Sequence, residues 1–115
     1  MSRDEDLNRL ASRQEHLFSV RQAVTLGFTP QSISARVRKH GWQRAGRGVV
    51  CTSAGNLTWR QKAMAAVLTY GPDTFLSHRA AARLWGLDGV DGSWVEVTRP
   101  RPSRPRPGVT VHVGE

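Results

Sequence analysis

Gln31, Ser34, Ala35, Arg38 and Lys39 lie within nine residues and combine an amide, a hydroxyl, a small apolar side chain and two cations. With Ile33 directed inward and about 100° of rotation per residue, Val37 and His40 fall beside it, and these five fall on the opposite side of a helix. Glutamine offers a donor and an acceptor in one plane, which suits adenine. Arginine offers a planar fork that suits guanine, and small residues let a backbone approach closely. Ser32 flanks the same surface and completes the candidate contacts on this helix. Gln31 and Ser34 stand near its start, where base edges are usually met. For Arg38 and Lys39, further along, phosphate oxygens are the alternative partners.

The elements needed to present this surface are legible around it. Ser19 is a capping residue ahead of Val20, Ala23 and Val24, and the helix it opens should stop near Gly27. Thr29-Pro30 then combines a capping hydroxyl with a proline at the first helical position, where its missing N–H is tolerated. The next helix should run to His40 and end on Gly41. Ala23, Gly27 and Ile33 have the residue types and spacing of a helix-turn-helix: a small residue where helices cross, glycine in the turn and a branched plug in the shared core. Trp42 to Ala45 and Val49 to Thr52 flank Gly46-Arg47-Gly48 and predict a hairpin with Arg47 at its tip and Arg44 on its first strand. Both arginines could hold DNA backbone or probe a minor groove. Trp42 is read as a core anchor.

The remaining segments support that unit. Asp4, Glu5 and Asp6 precede Leu7, Leu10 and Ala11, predicting a first helix over about residues 4–14, followed by a short apolar link at Leu17 and Phe18. Thr58 caps a fourth helix over Trp59–Tyr70 with Ala63, Met64, Val67 and Leu68 as its stripe. Ser77 caps a fifth, which carries Ala81, Leu84 and Trp85 inward and closes at Gly86. Trp94 to Thr98 and Val109 to Val113 predict strands, and the proline-broken stretch between them an exposed loop. The expected fold class is α+β, mainly helical. It comprises a winged helix-turn-helix over residues 1–56, then a helical extension with a C-terminal β-hairpin over residues 57–115. Within the loop, the four arginines Arg99, Arg101, Arg104 and Arg106, with Arg101 and Arg104 foremost, are the candidate clamp on phosphate or in a minor groove, and a merely solubilising role is the alternative.

Charge agrees with a polyanionic partner. The net charge is +8, and it is concentrated. No acidic residue lies between Glu15 and Asp73, whereas Arg21, Arg36, Arg38, Lys39, Arg44, Arg47, Arg60 and Lys62 do; the rest of the chain holds nine basic and nine acidic residues and balances. At 115 residues with 38% hydrophobic content, the chain has enough apolar material for one compact core. The polar start and the short longest apolar run, Ala63 to Leu68, predict neither a secretion signal nor a membrane span. The single Cys51 allows no internal disulfide, consistent with a cytoplasmic protein. His16, His40, His78 and His112 have no spacing typical of a metal site. Glu96 is the strand carboxylate a nuclease would use, but no lysine follows it at a suitable distance. The expectation is therefore a non-enzymatic protein with no cofactor or metal.

Several of these segments resemble one family. Ser12-Arg13-Gln14 to Phe18-Ser19, the Gly27 turn, Ile33 to Arg38, the hairpin from Gly41-Trp42 to Val50, and Leu76-Ser77-His78-Arg79-Ala80-Ala81-Ala82-Arg83-Leu84-Trp85-Gly86-Leu87 look like the N-terminal region of abortive-infection type IV antitoxins. That resemblance implies a winged helix-turn-helix that binds double-stranded operator DNA and represses a toxin–antitoxin operon. The family's further C-terminal region, which opposes a toxin, is expected to be missing after Glu115, so DNA binding is the property that transfers. Two other classes stay open: a module that binds a cognate toxin, and a fragment of an endonuclease-like protein acting through Glu96.

Overall fold

Hydroxyl side chains set where most of the helices begin. The structure is a computed structural model and describes residues 2–84, 95–104 and 106–114. Ser2 accepts from the Glu5 N–H ahead of α1 (Arg3–Ser12), Ser19 from Gln22 ahead of α2 (Val20–Thr25), Thr29 from Ser32 ahead of α3 (Pro30–His40), and Thr58 from Gln61 ahead of α4 (Trp59–Tyr70). In the last three, the side chain of the third helical residue returns a bond to the cap's own N–H, closing a capping box. Each cap of this kind contributes about 1 kcal/mol. Pro30 sits in the first turn of α3, and Gly41 ends that helix at φ +68°.

The turn between α2 and α3 is fixed by Gly27 and Phe28. Gly27 has φ +104°, a left-handed backbone that favours glycine, and the exposed Arg3 side chain lies against it. Phe28 is buried under the turn beside Ala23 and Ile33, both fully enclosed. The first helix stops at Ser12 because the chain turns through left-handed residues Glu15 (φ 58°) and His16 (φ 68°). The apolar link expected at Leu17 and Phe18 is a strand, β1 (Leu17–Ser19). It pairs antiparallel with β3 (Val49–Cys51), which also pairs with β2 (Gln43–Gly46), giving the order β1-β3-β2. The expected hairpin thus gains a third strand.

This sheet is covered on both faces, and the strand alternation shows how. Phe18 and Val50 join Leu7, Ala11, Ala23, Phe28 and Ile33 under the first three helices, with Trp42 edge-on to Phe18 at 5.7 Å between ring centres. Leu17, Val49 and Cys51 point the other way, against Ala65, Met64 and Leu68 of α4. Close approach is enforced at Gly46, where a Cβ would come within 2.8 Å of the Thr69 hydroxyl. The opposite side of α4, with Ala63 and Ala66, packs on Val95, Val97, Val109 and Val111. Instead of the single stripe expected from its sequence, α4 has two, because it lies between two sheets.

The second sheet has the order β4-β5-β6, built from β4 (Phe75–Leu76), β5 (Val95–Arg99) and β6 (Val109–Val113). Here the sequence reading needs correction. β5 and β6 are parallel, in register from Val95↔Val109 to Arg99↔Val113, so they form no hairpin. Residues 100–104 and 106–108 belong to the connection that returns along the pair. Extended at about 3.1 Å per residue, that stretch reaches about 28 Å, well beyond the roughly 17 Å of a five-residue strand. The proline-rich loop is therefore a crossover connection, held by a bond from Arg99 to the Ser103 hydroxyl and one from the Tyr70 hydroxyl to the Arg104 carbonyl at 3.1 Å.

A fifth helix, α5 (His78–Leu84), packs against β5. Ser77 does not cap it: its hydroxyl is buried without a hydrogen-bond partner, while its carbonyl accepts from Ala80 and Ala81. The readings of Trp85, Gly86 and Trp94 fall outside the described residues. The described residues form a small, compact α+β fold of five helices and two three-stranded sheets. None of these helices is long and apolar enough to cross a membrane.

Candidate nucleic-acid interface

The helix α3 presents its polar side to solvent. Gln31, Ala35, Arg38 and Lys39 are exposed and Ser34 is half-buried. Ser32, by contrast, is occupied: its side chain serves the Thr29 cap as both donor and acceptor. The helix surface is also divided. Ala35 and Lys39 border a cleft shared with Asp4, Leu7 and Asn8 of α1. Ser34 lies toward the hairpin, where its hydroxyl accepts from Arg44 Nη2 at 3.2 Å.

Among the described residues, two of the eight clustered cations are spent in internal ion pairs. Arg36 contacts the Asp4 carboxylate at 3.1 Å and lies 4.8 Å from the Phe28 ring centre, and Arg60 pairs with Glu15 at 3.0 Å. Among the described residues, no ion pair involves Arg38, Lys39, Arg44 or Arg47. The Arg36 pairing ties the start of α1 to α3, which steadies the helix whose other side is free.

Tertiary structure adds a junction that separate segments did not reveal. Arg44 and Arg47 of the hairpin and Arg104 and Arg106 of the crossover line one shallow cleft of about 600 Å3, together with Gly46 and Pro107. That lining contains no carboxylate. Arg104 is positioned because Tyr70 holds its carbonyl, whereas Arg99 is turned inward, bonded to Ser103 and 5.8 Å from the Tyr70 ring centre. Arg101 is exposed but is not part of the cleft lining. The sequence offers Arg106 as part of the same loop clamp as Arg104, but its meeting with Arg44 and Arg47, about sixty residues earlier in the chain, is decided by the fold.

A second polar constellation escaped the sequence reading. Glu96 and His112, on adjacent strands, meet at 2.9 Å (Oε2 to Nε2), and the other carboxylate oxygen accepts from Arg79 Nε at 3.0 Å. His78 stacks near His112, 4.1 Å between ring centres. The His112 hydrogen bond holds the Glu96 carboxyl below its ordinary range; Arg79 adds to this and burial opposes it. Only the strand alternation hinted at this group: Glu96 and Thr98 share one face of β5, Thr110 and His112 one face of β6.

No protein-family model and no curated protein matches this chain.

Proposed function

We propose that residues 1–56 are a winged helix-turn-helix that binds double-stranded DNA sequence-specifically, and that the protein acts as a repressor of the antitoxin autoregulator type, without catalysis. The support is topological and electrostatic. The order α1-β1-α2-α3-β2-β3, with β1 closing on β3, is the arrangement such a module uses to brace a recognition helix against a wing. A helix about 10–12 Å across fits a major groove about 12 Å wide. In that pose Gln31 and Arg38 reach base edges, with adenine and guanine as their natural partners, and Lys39 holds phosphate.

The observation that carries the reading is the cleft where Arg44, Arg47, Arg104 and Arg106 converge, joined to α3 through the Arg44–Ser34 bond. It supplies backbone contacts on the flank of the groove that α3 would occupy. The resemblance to abortive-infection antitoxins points the same way, and occlusion of a promoter is the simplest route to repression.

Fluorescence anisotropy with a labelled duplex, followed by selection from a random-sequence duplex pool, tests this. The expected result is saturable binding with an enriched motif, lost when Arg38, Arg44 and Arg47 are all replaced by alanine. Absence of duplex binding at low salt, or equal binding by the triple variant, overturns it.

A further inference from the structure

We propose that His78, Glu96 and His112 form a binding site for a divalent first-row transition metal, with Zn2+ the first candidate. Each of the three offers one ligand atom, and these atoms lie within 4.8 Å of one another. Two imidazoles and one carboxylate suit zinc, which binds nitrogen and carboxylate oxygen at about 2.0–2.2 Å. In tetrahedral geometry such bonds place neighbouring ligand atoms about 3.3 Å apart. The present 2.9 Å between His112 Nε2 and Glu96 Oε2 needs a few tenths of an ångström of opening, and the widest separation, within 4.8 Å, needs up to about 1.5 Å of closing, which the exposed His78 side chain can supply.

The surroundings are those of a built site. Glu96 is buried on a strand, so its position is set by the sheet, and Arg79 takes its Oε1 and leaves Oε2 directed at His112. A partner that orients a ligating carboxylate in this way is a usual feature of metal centres. His78 is exposed, which gives the site an entry path and a side on which water can complete the coordination. His78 also has φ +53°, an uncommon conformation for a residue with a side chain, and it is the conformation that begins α5 with the imidazole beside His112. The three ligands come from α5, β5 and β6, so a bound ion would tie together both ends of the crossover connection.

The test uses the untagged, metal-stripped full chain titrated with Co2+ by visible absorption, with Zn2+ as the displacing ion, and thermal unfolding with and without Zn2+. The proposal expects one equivalent of Co2+ with the intense bands of a four-coordinate site, displacement by Zn2+, and a higher melting temperature with Zn2+. His78→Ala and His112→Ala should each weaken binding at least about tenfold and abolish the thermal shift. His16→Ala and His40→Ala should bind as the parent does. If His112→Ala fails to fold by circular dichroism, the exposed His78→Ala decides. No saturable binding, or undiminished binding by a folded His78→Ala variant, overturns the site.

Discussion

Arg38 and Glu96 each sit on a regular element beside buried apolar residues, yet their surroundings are opposite. Arg38 stands in solvent on α3 and takes part in no ion pair among the described residues. Glu96 is enclosed on β5 between Arg79 and His112. The N-terminal region keeps its first sheet dry, with every residue of β1 and β3 buried, and exports its charge to the surface. The C-terminal region does the reverse: one face of its sheet is valine against α4, and the other carries Glu96, Thr98 and His112. A cation without a counter-ion is available to a polyanion, whereas a buried carboxylate held in place beside two imidazoles suits a cation. That contrast is why we propose DNA contact for the first region together with Arg104 and Arg106 of the crossover, and metal binding for the polar face of the second sheet.

The largest expected effect tests the surface charge as a whole. If Arg38, Lys39, Arg44, Arg47, Arg104 and Arg106 neutralise about six phosphates, duplex affinity should fall roughly a thousandfold between ~50 and ~200 mM salt. A flat salt response in an anisotropy titration would remove the contrast between the regions. Next in size, Ile33→Ala should cost about 2–5 kcal/mol of stability in urea unfolding, because Ile33 is wholly enclosed and its cavity lies beneath α3. A small cost would mean that α3 is not braced as described.

A sharper comparison sets neighbours on one helix against each other. Arg38→Ala should lower DNA affinity by about 1–3 kcal/mol, relaxing one base position if it reads a base and weakening all sequences alike if it holds phosphate. Arg36→Ala, whose side chain already serves Asp4, should leave affinity nearly unchanged and cost stability only on the scale of a partly exposed ion pair, below about 1 kcal/mol. Equal losses of affinity would erase the distinction between paired and unpaired cations. Smallest of all, His78→Ala should alter duplex affinity by less than about 0.5 kcal/mol, as a surface change remote from the contact does. A larger loss would mean that the two regions act on one ligand.

What the residue order determined by itself was local. The Ser19, Thr29 and Thr58 caps, the positive-φ turn at Gly27, the end of α3 at Gly41 and the span of α4 follow from hydroxyl, glycine and proline positions that act within a few residues. The polar side of α3 followed from periodicity in the same way. The direction of β6 did not, because alternating valines look the same in parallel and antiparallel pairs, and prolines permit a crossover as readily as a hairpin loop. Nor did periodicity reveal that Leu17 and Phe18 form a buried edge strand of a sheet, or that α4 is covered on two sides. Contacts between distant segments decided which cations were neutralised and which met. Arg36 was lost to Asp4 and Arg106 was brought beside Arg47, while a carboxylate and two imidazoles with no telling spacing came together because α5, β5 and β6 pack side by side.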